Sequence, residues 1–345
     1  MSLYENTGMA ALRLLPPEMS HTVSLLALRA GLGLRDHSVS DPILQTQLAG
    51  LDLSNPIGLA AGYDKNAQVP DALLKLGFGF VECGAVTPRP QAGNPKPRLF
   101  RLTKDQAVIN RMGFNNEGLA QIAIRLRERV GRTGVVGMNL GANKTTDDKA
   151  ADYVESLTAL AGLASFFTVN ISSPNTPGLR ALQSKDALDA LLSRVMKAKG
   201  SEPVFLKVAP DLAEEDLADI SAAVTEWKID ALIVSNTTIE RADTLKSVDR
   251  GEAGGLSGRP LFERSTALLA EFRRILPDTP LIGVGGIECA DTAYAKIRAG
   301  ATAVQLYSAL VYKGPGLIPE IKRGLALRLK ADGFSNVSQA VGIDA

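Results

Sequence analysis

The chain has little of what several functional classes require. Its 345 residues hold only 2 cysteines, Cys83 and Cys289, too few and too far apart for a disulfide framework or a thiolate metal site. A reducing compartment fits that usage, and no metal is expected. The 2 histidines, His21 and His37, both precede the region where strands are expected, which argues against histidine base catalysis. No charge of either sign dominates: 38 lysines and arginines face 37 aspartates and glutamates, so no basic footprint points to nucleic acid. No apolar run reaches the roughly 20 residues of a membrane span. No cleavable hydrophobic leader is seen at the start. The expectation is a soluble or peripheral protein.

What is present is a repeat. The 45% apolar fraction supports a packed core, and it gathers into eight short runs. They lie at 56–61, 79–85, 134–140, 166–171, 203–209, 230–235, 280–284 and 301–307. Helical segments follow at roughly 67–76, 116–130, 150–163, 186–199, 214–227, 262–276, 290–299 and 316–330. Glu214, Glu215 and Asp216 put acids in a first helical turn, as the helix dipole favours. Strands alternating with helices at this spacing imply parallel βαβ units. Eight units predict a closed (β/α)8 TIM barrel, an α/β fold with its site on the loops after the strands. A doubly wound open sheet is the alternative, but no Gly-x-Gly-x-x-Gly follows the first strand. Two long connections, 87–115 and 237–260, read as lids or binding loops.

The expected strand ends carry polar chemistry. Val169–Gly178 offers Asn170, Ser172, Ser173, Asn175 and Thr176, with Pro174 and Pro177 stiffening the loop. A polar turn capping the next helix is the plainer explanation, but similar clusters recur elsewhere. Lys65 and Asn66 follow the first strand, Ala85 the second and Asn139 the third. Ser235, Asn236 and Thr237 follow the sixth. Lys207 sits mid-strand among apolar residues, so it points into the barrel, where a lone cation is costly. No acid is seen at the neighbouring strand ends. Gly285 and Gly286 after the seventh strand, with Gly258 from the preceding loop, sit where barrels bind phosphate through backbone N–H groups. A phosphate-bearing cofactor is expected there, beside a polar substrate. A Schiff-base aldolase using Lys207 or Lys65 remains open.

About forty residues precede the barrel, giving an expected division into 1–40 and 41–345. Pro16 and Pro17 split the first part, and Met19, Val23, Leu26, Ala27 and Ala30 share one helical face. Such a helical extension either packs on the barrel, lies on a membrane surface or lines a passage for an apolar ligand.

Several segments are similar to the dihydroorotate dehydrogenase family. They are Leu59-Ala-Ala-Gly-Tyr-Asp-Lys65, Gly84-Ala-Val-Thr-Pro-Arg-Pro-Gln91, Asn110-Arg-Met-Gly-Phe-Asn115, Asn170-Ile-Ser-Ser-Pro-Asn-Thr-Pro-Gly178, Asn236-Thr-Thr238, Gly254-Gly-Leu-Ser-Gly258 and Gly283-Val-Gly-Gly286. The resemblance spans about residues 18 to 328. It implies FMN-dependent oxidation of (S)-dihydroorotate to orotate in pyrimidine biosynthesis. The N-terminal extension, and Ser173 where class 1 members carry cysteine, resemble the quinone-reducing class 2. That class implies a peripheral place on the cytoplasmic side of the cell membrane and no iron–sulfur partner subunit. By resemblance Ser173 is the base at C5. Lys65, Asn110, Arg111, Met112, Gly113, Phe114, Asn170, Asn175, Asn236 and Thr237 hold substrate. Ala61, Gly62, Lys65, Ala85, Asn139, Asn170, Lys207, Ser235, Gly258, Gly286, Tyr307 and Ser308 hold FMN. Asn66 joins the substrate amides, while His21 and Arg101 match quinone-tunnel positions. The chain departs from the family pattern at Ala85, often Thr or Ser, and at Ala142, often Lys.

Overall fold

Eight parallel strands close into a barrel in the computed structural model, which describes residues 3–33, 35–176 and 178–345. They are β1 (Ile57–Leu59), β2 (Phe80–Val86), β3 (Val135–Leu140), β4 (Phe167–Asn170), β5 (Val204–Val208), β6 (Ala231–Val234), β7 (Leu281–Val284) and β8 (Ala303–Leu306). Each pairs with its sequence neighbours, and β8 closes on β1. The expected helices follow the strands, the last being Leu317–Ala331. The first is shorter than expected, Pro70–Leu74. The buried Asp64 carboxylate accepts the N–H groups of Asn66, Gln68 and Val69, so those residues are committed to a turn.

Strand periodicity sorts the side chains. Outward residues such as Leu59, Val81, Met138 and Val169 pack under the helices in the main core. Inward residues at the lower end form a plug, with Phe166 stacked on Phe205 at 4.6 Å and Phe80 edge-on to Phe166. The plug explains two glycines. A Cβ on Gly58 or Gly137 would stand inside the Phe80 or Phe166 ring, so the rings fill the volume that side chains on β1 and β3 would take. A hairpin of Thr46–Leu48 and Leu51–Leu53 closes this end through Leu48 and Leu53.

At the other end the two long connections do more than loop over the mouth. Leu99–Leu102, Ala107–Asn110 and Gly255–Gly258 form an antiparallel sheet with its own small core of Phe100, Leu102, Ile109 and Leu256. Beside it lie helices α1 (Leu3–Leu14) and α2 (Pro17–Arg29), the latter beginning with Pro17 in the first turn. Arg98 pairs with Glu18 of α2 at 2.7 Å. Arg101 donates to the carbonyls of Arg13 and Leu15 and to Ser20 Oγ.

The apolar face expected on α2 is divided. Met19 (52% exposed), Val23, Leu26 (58%) and Ala30 face solvent, whereas Ala27 faces the barrel mouth. Helical periodicity finds an apolar stripe but not the neighbour it meets; here Ser20, His21, Ser24 and Leu28 turn inward. Contacts with the barrel already occur before residue 41. Asp36 and Lys322 form a buried pair at 2.7 Å, and the Asp36 N–H donates to Lys75 O. No helix among the described residues is long and apolar enough to cross a membrane.

Candidate active site

Above the phenylalanine plug the inward positions turn polar. Glu82 on β2, Asn139 on β3, Asn170 on β4, Lys207 on β5 and Gln305 on β8 are all buried. Each lies two residues past an inward position lower in the barrel (Phe80, Gly137, Thr168, Phe205, Ala303), as the strand period requires. Asn170 stands opposite Lys207 in the β4–β5 register. Burial pulls the Lys207 ammonium below its usual range, and the Glu82 carboxylate opposes that pull. No acid stands at the ends of the strands beside β5, as expected, but Glu82 acts on Lys207 from across the barrel. The acid sits mid-strand in Phe80-Val-Glu-Cys-Gly84, and only barrel closure brings it to face β5.

Asn139, Asn170, Lys207 and Gln305 floor one cavity of about 650 Å³, with Glu82 beneath them. Lys65 reaches its wall and donates to Gly62 O at 2.7 Å; burial first, then the Arg98 guanidinium, holds its ammonium down to about 8. Asn110, Met112, Gly113 and Phe114 line the side under the antiparallel sheet, facing Ser173 and Asn175 from the β4 loop. Asn175 Nδ2 donates to Asn110 Oδ1 at 3.3 Å, and Ser173 Oγ accepts the Asn175 N–H at 3.3 Å. Asn236 and Thr237 complete the ring. Pro177 lies outside the described residues.

A glycine-lined cradle lies on the β7–β8 side. Gly258, Gly285 and Gly286 all have positive φ. A Cβ would come within 2.5 Å of Gln106 O at Gly258, 2.6 Å of Ser265 Oγ at Gly285 and 2.6 Å of Phe262 Cα at Gly286. Only glycine fits, and bare backbone is left facing the cavity. Ser308, hydrogen-bonded to Ser257 at 2.7 Å, starts the next helix there. Ala61, Gly62, Ala85, Ser235 and Tyr307 also line the cavity. Gln305 Oε1 is buried with no donor among the described residues, an acceptor left for a ligand N–H. This donor set fits a ring system bearing a phosphate.

The cavity continues under α2. His21 Nε2 lies 2.7 Å from Tyr63 O, and burial followed by Lys65 pulls the imidazole down to about 3, so it is neutral at physiological pH. Arg101, Leu12, Ala27, Leu28 and Leu99 line this end, which is mostly apolar.

Two expected site residues are not brought in. Arg111 turns away, its guanidinium 2.7 Å from Glu252 and stacked over Phe100. Asn66 donates to Glu117 and lies outside the cavity wall. A close charge partner outweighs sequence proximity to the motif in both cases. Sequence reasoning passed over Glu82, Gln305 and Tyr63; a lone acid or amide within a strand run was the available signal for the first two.

A closed (β/α)8 barrel with a glycine-only cradle beside an amide-lined floor is the architecture of a cofactor-dependent barrel enzyme. The profile of the family described as dihydroorotate dehydrogenase matches residues 43–329. A protein of Brucella anthropi named dihydroorotate dehydrogenase (quinone) is 54% identical, covering 97% of this chain and 94% of its own length. A protein of the same name from Brucella melitensis is also 54% identical, covering 98% of this chain and 95% of its own. The crystal structure of DHODH from Eimeria tenella in complex with ferulenol has a TM-score of 0.92 at 39% identity, over 95% of this chain and 96% of that one. The chain belongs to the dihydroorotate dehydrogenase family, in its quinone-dependent class 2. The family comprises flavin-dependent oxidoreductases of pyrimidine biosynthesis.

Proposed function

We propose that this chain oxidises (S)-dihydroorotate to orotate, with FMN in the barrel mouth and a membrane quinone as final electron acceptor. The observation that carries the reading is one continuous cavity, which joins a polar, amide-lined floor to an apolar end under α2. FMN, when bound, supplies a hydride acceptor at its N5 for the hydrogen leaving C6. The glycine cradle at Gly258, Gly285 and Gly286 would hold its phosphate, and Gln305 Oε1 would meet a ring N–H. Lys207 would place a fixed cation at the N1/C2 edge, where a preorganised charge is most effective in a dry site.

Lys65 would pair with the substrate carboxylate, and Asn110, Asn170, Asn175 and Asn236 would hold its ring amides. Ser173 Oγ would take the C5 proton. A serine hydroxyl is a weak base, so its own proton must move on; Thr176, buried along the same loop, offers the next hydroxyl. The apolar end lined by Leu12, Ala27, Leu28 and Leu99 would admit the quinone, with His21 and Arg101 near its head group. The exposed Met19, Val23, Leu26 and Leu32 support docking of α2 on a membrane surface, peripheral and on the cytoplasmic side.

The pH profile tests the substrate assignment. The charged form of Lys65 prevails below about pH 8 and is lost above it. The value of kcat/KM for dihydroorotate should therefore fall about tenfold per pH unit beyond that point. Lys65→Met should have a low kcat/KM without that limb. A limb that persists unchanged in Lys65→Met would contradict the pairing.

A further inference from the structure

We propose that Glu82 is a positioning residue that sets the hydrogen-bond direction of the two floor amides flanking it, Asn139 and Gln305. This rests on the reading that those amides face a flavin and dihydroorotate. Glu82 is fully buried inside the barrel, and its two oxygens accept from two different side chains. Asn139 Nδ2 donates to Oε1 and Gln305 Nε2 to Oε2, each at 2.6 Å. A carboxylate only accepts, whereas an amide has one accepting and one donating end. Both flanking amides must therefore point their NH2 groups at Glu82 and turn their carbonyls away.

The consequence propagates. Asn139 Oδ1, turned away from Glu82, accepts from Asn170 Nδ2 at 2.9 Å. Asn170 Oδ1 then accepts from Ser172 Oγ at 3.0 Å and from Asn236 Nδ2 at 3.3 Å. Asn236 Oδ1 in turn accepts the Thr237 N–H at 2.7 Å. On the other side, Gln305 is held with its unpartnered Oε1 at the cavity floor. At the far end the backbone N–H groups of Ser172 and Thr237, donating to Asn170 Oδ1 and Asn236 Oδ1, hold the chain in the same sense. At the near end only the anion does so, and it decides that Asn139 and Gln305 present their carbonyls away from it.

The polarity can be reversed without changing shape. Glu82→Gln keeps the size but presents one NH2, so either Asn139 or Gln305 must flip. We expect kcat/KM for dihydroorotate to fall about ten- to hundredfold, the scale of an unmatched buried polar group. A shifted visible spectrum of the bound flavin should accompany it. Asn139→Asp alone sets two acceptors face to face and should also be impaired. Combined with Glu82→Gln the same change should help. The amide then at position 82 can donate to the carboxylate at position 139 while still accepting from Gln305. That carboxylate still accepts from Asn170. The signature is this inversion of sign, read in kcat/KM, in flavin spectrum and in thermal stability. A space-filling role for Glu82 gives no such inversion. If Glu82→Gln fails to fold, the double variant must fold better. Glu82→Gln within twofold of wild type, or a double variant no better than that single variant, overturns the proposal. A wild-type protein that neither binds FMN nor oxidises dihydroorotate would instead sink the functional reading beneath it.

Discussion

Ser173→Ala is expected to keep its FMN yet reduce it with dihydroorotate about 10²–10⁴-fold more slowly than wild type, the range of a positioned acid–base group. Ser173 is buried in the cavity wall, in a loop held by Asn175 and the antiparallel sheet. Among the described residues no carboxylate or imidazole hydrogen-bonds its hydroxyl. His21 lies at the apolar end, and Glu82 is committed to two amides beneath the floor. Alanine would therefore remove the proposed base without a substitute among these groups. Anaerobic stopped-flow mixing measures the effect as loss of the flavin's visible band. Bleaching at wild-type speed would remove Ser173 from that role.

The second large effect concerns α1 and α2. Deleting residues 1–33 should leave flavin reduction by dihydroorotate largely intact but impair reoxidation by a long-tailed quinone about fiftyfold. Each buried methylene contributes about 0.8 kcal/mol, and losing cover for roughly three of them gives that factor. The cut stops at 33 because Asp36 holds Lys322; removing one partner of a buried pair strands the other and costs about 3–5 kcal/mol. A water-soluble dye acceptor controls for general damage. Equal losses with dye and quinone would mean that the helices only cover apolar surface.

Much of this was legible in the sequence. The eight strands appear as apolar runs because parallel strands are buried on both faces, and their number, alternating with helices, implied closure. The glycines of the cradle and the polar loop after β4 followed from where barrel strands end. Three features were not legible. The antiparallel sheet over the mouth is built from short strands in a Pro- and Arg-rich stretch and pairs across more than a hundred residues, as Val108 does with Ser257. The apolar stripe of α2 was visible, but its direction depended on Tyr63 and Arg101 claiming the opposite face through Ser24, His21 and Ser20. Glu82 looked like one polar residue in an apolar strand. Its meaning appears only when β8 and β3 bring Gln305 and Asn139 to its two oxygens.

The central claim is that one cavity couples oxidation of dihydroorotate to reduction of a quinone through a flavin. The most direct test separates the two halves on the same purified protein under nitrogen. Dihydroorotate is added first, and the visible flavin band is followed; a ubiquinone analogue is then added alone. The account predicts a yellow protein that bleaches with release of orotate and regains its full colour with the quinone. A protein that is colourless, or whose flavin dihydroorotate does not bleach, or whose bleached flavin no quinone restores, would contradict it.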